Sequence, residues 1–299
     1  MAEINFRRDF DVPYGVLEPI SPLIRRIVAR NPGPFTFKGT GTYVVGRGTV
    51  AIIDPGPDIA AHIDALLEAL RGETVSHILV THTHHDHSPA AAAVKRATGA
   101  PTFGFGPHGG AASPDGTGEE GADRDFVPDQ AMREGDAVEG PGWRLEAVHT
   151  PGHTSNHLCF ALPEERVLFS GDHVMGWSTS VIAPPDGSMV DYMAALEKLL
   201  RRDDALYWPT HGPSIPRPQD HVRAFIAHRR ERNDAILARL AAGDTRIPDM
   251  VAAIYLGLDP RLTRAAGRSV LAHLIALVAE GRVESDGPPG VEARYRLRA

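Results

Sequence analysis

Cysteine is nearly absent from the 299-residue chain, which contains only Cys159. One cysteine excludes an internal disulfide framework and a zinc site built from cysteine pairs, and it fits a reducing compartment. No apolar run approaches the roughly 18 residues that a membrane-spanning helix needs. The charged N-terminus has no apolar leader segment. We therefore expect a cytoplasmic protein without a membrane partner.

The fractions of charged and apolar residues are those of an ordinary globular protein. Hydrophobic residues make up 42% and charged residues 23% of the chain, which excludes the composition of a disordered protein. Glycine and proline are abundant, at 30 and 25 residues, so turns are expected to be frequent and a helical bundle is disfavoured. The composition predicts a folded protein with short elements.

The two ends of the chain differ in charge. Residues 1–219 contain 18 Lys and Arg against 28 Asp and Glu, a net charge of −10, whereas residues 220–299 contain 13 Arg and 10 acids, a net charge of +3. The change falls at the stretch PSIPRPQD, and proline-rich polar segments commonly separate independently packed units. We expect two domains, residues 1–217 and residues 218–299.

Short apolar runs alternate with turn residues over the first two hundred positions. Val44–Val45 and Val50–Ile53 flank a glycine-containing loop and predict a hairpin. After a short strand over His77–Val80, Ser88 as N-cap and Gly99 at C′ bound an alanine-rich helix. The other predicted elements are a helix over 62–70, strands over 143–148, 158–162, 167–169 and 205–208, and a helix over 189–201. This order predicts an α/β domain.

Helical periodicity dominates after residue 218. Apolar residues at helical spacing predict a long amphipathic helix ending at Gly243, a short helix over 249–255 and a third helix over 270–278. A polar hairpin over 281–295 follows. Three helices and a two-stranded wing are the order of a winged-helix domain.

The segment over 104–135 differs from its surroundings because it has no periodicity and is dense in glycine, aspartate and proline. Loops of this length are either flexible or border a functional site. The sequence leaves both interpretations open.

The most informative stretch is THTHHDH at residues 81–87. It holds four histidines and an aspartate, between a predicted strand and the start of a predicted helix: His82, His84, His85, Asp86 and His87. Imidazole nitrogens and a carboxylate at this density suit Zn²⁺ or a similar divalent ion. The alternative is a solvated polar loop, which the H-x-H-x-D-H spacing disfavours. We interpret the segment as part of a metal site.

Three further metal-binding side chains each follow a predicted strand. His153 comes after RLEAVHTPG, Asp172 after VLFSG and His211 after LYWPT. In α/β layers, site residues gather in loops at one end of the strands. Singly, each is more typical of a structural residue. Together, each beside a glycine, they predict one site shared with residues 81–87.

The motifs THTHHDH, TPGHT, SGD and THG, in this order and spacing, resemble the metallo-β-lactamase superfamily over about Gly39–Gly212. Within it, NPGPFTFKGTGTYVVG, GDHVMGWSTSVI, DYMAALEKL and the C-terminal pattern resemble the β-lactamase-like protein 2 group over nearly the whole chain. The resemblance implies an α/β fold, an αββα sandwich followed by a small winged-helix domain. It also implies a binuclear metal-dependent hydrolase.

The resemblance assigns a role to each metal-binding side chain. The implied ligands are His82, His84 and His153 for the first metal, Asp86, His87 and His211 for the second, and Asp172 as the bridge. Asp86 is also the implied catalytic residue because it would help to orient the attacking hydroxide. Asp54, at the end of the strand in IIDPG, would orient a ligand histidine; the alternative is an ordinary Asp-Pro-Gly turn.

Two other histidines lie near these motifs. His157 would support a ligand or contact substrate, or be a packed strand histidine. His85 stands at the mouth of the implied site and would contact either substrate or solvent. The chain departs from the family after His87, where Ser88-Pro89 replaces the usual Gly-Gly. That change suits helix initiation and should spare the metals.

The implied cofactors are two divalent metal ions. Such a pair would lower the pKa of a shared water, generate hydroxide, and polarise the scissile carbonyl or phosphoryl group. The histidine-rich ligand set favours Zn²⁺, although iron or manganese can occupy similar ligands.

Three functions remain open. We favour hydrolysis of a small ester or thioester, since relatives include glyoxalase II-like enzymes and acyl-carrier-protein thioesterases. The second is an endoribonuclease acting on single-stranded RNA, which the Arg-rich C-terminal unit favours and the −10 charge of residues 1–219 opposes. The third is a non-enzymatic winged-helix module that binds nucleic acid or protein on a metal-stabilised scaffold. A homodimer is also left open.

Overall fold

Two β-sheets packed face to face form the framework of the computed structural model, which describes residues 4–110 and 121–298. In spatial order, the first sheet contains β1 (Glu18–Pro19), β2 (Ile24–Val28), β3 (Gly41–Arg47), β4 (Thr49–Ile53), β5 (Thr74–Leu79), β6 (Thr102–Gly104) and β7 (Gln130–Ala131). The second sheet contains β12 (Leu206–Pro209), β11 (Val167–Gly171), β10 (Leu158–Leu162), β9 (Trp143–His149) and β8 (Ala137–Gly140).

Helices cover the outer face of each sheet. In the first sheet, β4, β5 and β6 pair in parallel, and parallel neighbours need a crossover connection. The crossovers contain α1 (Ala60–Ala69) and α2 (Ala90–Thr98), and α3 (Met189–Leu199) joins the parallel pair β11 and β12 of the second sheet. The layers are therefore helix, sheet, sheet and helix, which confirms the predicted αββα sandwich.

The strands of the sandwich are apolar on both faces. Along β3, Tyr43 and Val45 point into the core between the sheets, and Val44 points into the cluster beneath α1 and α2. The same inner core receives Phe160 and Phe169 from the second sheet. Burial on both faces explains why these strands appear in the sequence as continuous apolar runs.

The predicted elements are present, most with bounds shifted by a few residues, but the helix predicted over 270–278 begins seven residues earlier, at Thr263. Sequence reasoning missed β1, β2, β6, β7 and β8, which are short or, in β2, contain two arginines. Of the segment over 104–135, residues 111–120 lie outside the described residues, and the described part includes β7.

The expected N-cap of α2 was wrong. Pro89 occupies the N-cap position without a side-chain cap. The Ser88 hydroxyl instead donates to Asp123 Oδ2 at 2.5 Å. A capping side chain accepts from the free backbone N–H groups of a helix start, whereas the Ser88 hydroxyl acts as a donor to a carboxylate, a charge-assisted contact with a distant segment.

The C-terminal region has the predicted winged-helix order. Its elements are α4 (Pro218–Ala241), α5 (Ile247–Ile254), α6 (Thr263–Ala279), β13 (Val283–Ser285) and β14 (Tyr295–Leu297). Tyr295 of the wing is buried in a cluster with Met250 of α5 and Leu274 of α6. The wing and the helices therefore share one small core.

Helix α4 contributes to two cores. Phe225, in its first half, is buried in the cluster that contains Leu168 of the second sheet and Leu196 of α3. Ile236 and Leu240, in its second half, belong to the C-terminal core. The helix thus joins the sandwich to the winged helix. The division between residues 217 and 218 stays a prediction.

One described segment, Pro260–Ala279, has the length and mean hydropathy of a membrane-crossing helix, at 1.3. Half of this segment is buried inside the protein. Its buried residues Val270, Leu274 and Leu277 pack in the C-terminal core. These are also the properties of a core helix in a globular domain.

Replacing Phe225 with alanine is expected to destabilise the protein by about 3–5 kcal/mol, the usual cost of emptying a buried phenylalanine site. The measurement is the urea midpoint of unfolding followed by circular dichroism. The control is Arg223→Ala, on the exposed face of the same helix, which should change stability by no more than about 0.5 kcal/mol. Equal midpoints for the two variants would contradict the packing of α4 on the sandwich.

Candidate metal centre

The predicted metal ligands meet at the carboxyl ends of the strands. The segment 80–89 follows β5, His153 follows β9, Asp172 directly follows β11 and His211 follows β12. Their ligand atoms form three groups, each with all members within 4.8 Å of one another: His82, His84 and His153; His82, His87 and Asp172; Asp86, His87 and His211. The structure therefore brings together all seven predicted ligands.

The first group is made of three imidazoles. His84 Nδ1 lies 2.9 Å from His82 Nε2 and 3.1 Å from His153 Nε2. Zinc–nitrogen bonds of about 2.0–2.1 Å require ligand nitrogens at this close spacing. The three rings thus point their nitrogens at a common position.

The second group adds a carboxylate. Asp86 Oδ2 lies 3.1 Å from His211 Nε2 and 3.5 Å from His87 Nε2. This group matches the predicted ligand set for the second metal.

Asp172 lies between the two groups. Its Oδ2 is 3.7 Å from His87 Nε2 and 3.9 Å from His153 Nε2, and its Oδ1 is 3.5 Å from His211 Nε2. One carboxylate therefore faces ligands of both groups, as a bridging residue must.

Backbone carbonyls fix the tautomers of two ligand histidines. Val181 O accepts a hydrogen bond from His153 Nδ1 at 2.6 Å, and Gly39 O accepts one from His211 Nδ1 at 3.1 Å. A carbonyl can only accept, so Nδ1 of each ring carries a proton, and Nε2 is the nitrogen that faces the cluster and could bind a metal once it is deprotonated.

The Asp54 carboxylate likewise holds a proton on Nδ1 of His87. This carboxylate is fully buried at a backbone φ of +49°, and its Oδ2 accepts from His87 Nδ1 at 2.8 Å. It also accepts from the Thr81 backbone N–H at 2.7 Å, and from the hydroxyls of Thr81 at 2.8 Å and Thr210 at 3.0 Å. Because the Thr81 hydroxyl donates to Asp54, its oxygen accepts from His82 Nδ1 at 3.0 Å. Asp54 thus orients two ligand histidines, one directly and one through Thr81.

Opposite charges set the protonation of the cluster. Burial raises the pKa of Asp172, but the imidazolium charges of His211 and His87 outweigh it and lower that pKa well below its ordinary value. Burial lowers the pKa of His211, but the Asp172 and Asp86 carboxylates raise it to about 10. A bound divalent cation would compensate the charge of these carboxylates in place of the histidine protons, so metal binding would release those protons.

Unsatisfied buried atoms provide a test of whether the residues fit a metal. His87 Nε2 and Asp172 Oδ1 are buried with no hydrogen-bond partner in the part of the chain that the structure describes. Such atoms are costly unless a ligand or ion satisfies them. Five imidazoles and two carboxylates suit Zn²⁺, iron or manganese. The residues fit a pair of divalent cations.

The other two predicted histidines have different environments. His85 is exposed and lines the mouth of the cavity above the cluster. His157 is buried beneath Asp172: its Nε2 accepts from the Asp172 backbone N–H at 3.2 Å, and its Nδ1 donates to Thr150 Oγ1 at 2.8 Å. His157 therefore supports a ligand-bearing segment and lies away from the cavity.

Sequence reasoning missed Thr40. Its hydroxyl donates to Asp86 Oδ2 at 3.0 Å and accepts from Asn31 Nδ2 at 2.9 Å, while Asn31 Oδ1 accepts from the Thr40 backbone N–H at 2.9 Å. Both residues lie in the NPGPFTFKGTG stretch, which carries the family resemblance but gives no sign of the contact with Asp86.

A cavity of about 420 Å³ opens above the cluster. Apolar side chains line part of it: Phe35, Met175, Val181 and Ala183. The C-terminal region also contributes Arg261, Arg264 and Arg268 to its lining. Sequence reasoning missed these arginines, because nothing in the local pattern shows that α6 reaches the metal-binding end of the sandwich.

Comparison with known protein families identifies the class of protein. The model of the metallo-beta-lactamase superfamily matches residues 36–211, and the model of the beta-lactamase associated winged helix domain matches residues 247–290. The chain belongs to the metallo-β-lactamase superfamily and is a hydrolase of that superfamily. It is also 30% identical to the beta-lactamase-like protein 2 homolog of Caenorhabditis elegans over 288 residues, covering 90% of this chain and 88% of the relative. The predicted resemblance is confirmed.

Three other proteins are similar over much of the chain. An atrochrysone carboxyl ACP thioesterase of Aspergillus novofumigatus is 30% identical over 306 residues, covering 94% of this chain and 89% of the relative. A solved metallo-beta-lactamase family protein from Thermus thermophilus aligns with a TM-score of 0.77 and 26% identity, covering 94% and 100% of the two chains. A structure solved in a di-iron-bound form has a TM-score of 0.50 and 26% identity, covering 64% and 93%.

Replacing Asp54 with asparagine is expected to weaken metal binding about 10- to 100-fold, because such partners of ligand histidines tune affinity to that extent. The amide cannot accept all the hydrogen bonds that orient His87 and Thr81. The measurement is a metal titration against a chromophoric chelator. Asp64→Asn, at an exposed position on α1, is the matched control. Unchanged affinity in a folded Asp54→Asn variant would show that the ligands orient themselves without this carboxylate.

Proposed function

We propose that the protein is a binuclear metal-dependent hydrolase whose substrate is a thioester, with small oxygen esters as related substrates. The observation that carries the proposal is the convergence of seven metal-binding side chains beneath one cavity of about 420 Å³. The volume lies in the range of small-molecule sites. Apolar walls at Phe35, Met175 and Val181 suit an acyl chain.

Each side chain of the cluster has a distinct proposed role. His82, His84 and His153 would hold one cation, Asp86, His87 and His211 the other, and Asp172 both. Two bound divalent cations supply a water of lowered pKa and polarise the acyl carbonyl. In the metal-free cluster the charges of His87 and His211 lower the pKa of Asp86 despite burial and keep it ionised, and bound cations that replaced those protons would also favour the carboxylate. Thr40 holds Asp86 in place, so its carboxylate can orient the attacking water.

Similar proteins support the thioester over the other open functions. The relative from Aspergillus novofumigatus is named an ACP thioesterase. The volume of the cavity suits a small substrate, and the −10 charge of residues 1–219 disfavours a polyanion such as RNA. A purely structural metal site is usually closed, whereas this cluster lies beneath a cavity, which disfavours the purely binding role. Zinc is the proposed metal because five of the seven ligands are histidines.

The test is hydrolysis of S-butyryl-pantetheine by zinc-loaded protein, followed by the appearance of free thiol. Asp86→Ala should lower the rate at least about 1,000-fold, as removal of a residue that acts on the transition state does. The control is Asp64→Ala, which removes an exposed carboxylate on α1 outside the cavity lining.

Circular dichroism must show that both variants are folded. Thiol release that persists in Asp86→Ala would refute the assigned role of this residue. Cleavage of single-stranded RNA without any thiol release would replace the thioesterase proposal with the ribonuclease one.

A further inference from the structure

The cavity above the metal-binding cluster has a basic wall that belongs to the C-terminal domain. Arg264 and Arg268 are four residues apart in the first turns of α6, and Arg261 precedes Arg264 by three residues in a 3₁₀ turn. This spacing places the three side chains along one helical face. All three line the same cavity as Asp86 and His211.

The charge of this cavity is unevenly distributed. Among its described lining residues, the only acids are Asp86 and Asp172, and both are predicted metal ligands. Arg261 is bound to Asp259, with guanidinium–carboxylate distances from 2.7 to 3.2 Å. Among the described lining residues, the cavity thus combines two acids that would face metal cations with a wall that carries Arg261, Arg264 and Arg268.

The half-buried Arg268 is held in place by the sandwich. Its Nη1 donates to the Pro184 carbonyl at 3.3 Å, and Pro184 adjoins the cavity-lining Ala183. A guanidinium is planar and its N–H donors have fixed directions, so this contact orients the whole group. Arg264, four residues away, is exposed at the mouth.

We propose that Arg264 and Arg268 form a phosphate subsite, so that the preferred substrate is a thioester whose thiol portion carries a phosphate, as in a phosphopantetheine thioester. Two guanidinium groups that line one cavity can bind phosphate oxygens through several charge-assisted hydrogen bonds. The inference rests on the proposed thioesterase function and adds the group that the winged-helix domain recognises.

The test compares two substrates that differ by one phosphate, S-butyryl-4′-phosphopantetheine and S-butyryl-pantetheine. The wild-type protein should hydrolyse the phosphorylated ester with a kcat/KM about tenfold higher or more, mainly through a lower KM, since charge-assisted hydrogen bonds are worth that much. In Arg264→Ala/Arg268→Ala this ratio should fall to near one. Arg282→Ala removes an exposed arginine outside the cavity and should keep the wild-type ratio.

A binding experiment separates the subsite from the reaction. Calorimetry should show that 4′-phosphopantetheine binds wild-type protein about tenfold more tightly than pantetheine and that the double variant loses this difference. Tight binding without hydrolysis would support the subsite and refute the proposed function. Equal hydrolysis of both esters by wild-type protein would support the proposed function and refute the subsite.

The phosphate has two natural sources, free coenzyme A and a carrier protein. Comparing kcat/KM for butyryl-coenzyme A and a butyryl-carrier protein identifies which one the site prefers, and arginine-dependent preference for either supports the subsite. A single-stranded RNA that binds more tightly than phosphopantetheine, and loses affinity in the double variant, would overturn the inference in favour of nucleic acid.

Discussion

The buried carboxylate of Asp54 is the interaction on which the arrangement of the metal-binding cluster depends. It follows β4 and accepts hydrogen bonds from Thr81 after β5, from Thr210 after β12 and from His87. One carboxylate therefore joins strand ends from both sheets and orients a ligand histidine at the same point. A buried charge is stable only when its oxygens are satisfied in this way, so the positions of the strand ends and the orientation of the ligands are fixed together.

The winged-helix domain contributes residues to the cavity above the metal-binding cluster. Helix α4 packs in the core beside the second sheet through Phe225 and in the C-terminal core through Ile236. That shared packing sets where the start of α6 lies, and hence places Arg264 and Arg268 at the cavity. The sandwich thus supplies the reactive end of the site, and the C-terminal domain supplies the part that we infer selects the substrate.

Local patterns predicted an α/β domain and the cluster of side chains that the structure brings together, because these side chains lie in short motifs after apolar strands. The αββα sandwich and the role of each side chain followed from the family resemblance, and the roles stay predictions. Contacts between distant segments were not predictable. The hydrogen bond from Thr40 to Asp86 joins residues 46 positions apart. Ser88 does not cap α2 as expected but donates to Asp123, 35 positions away. The basic wall was missed for the same reason, since α6 reaches the cavity through packing against distant segments, the α4 helix and the core beside the second sheet.

The measurement that tests the central claim most directly is the metal content of the purified protein after zinc loading, determined by mass spectrometry beside His211→Ala and His153→Ala. The account predicts two zinc ions per wild-type chain and a loss of metal in each variant, because these histidines belong to different ligand groups. A wild-type protein that binds one ion or none, and yet hydrolyses thioesters at full rate, would contradict it.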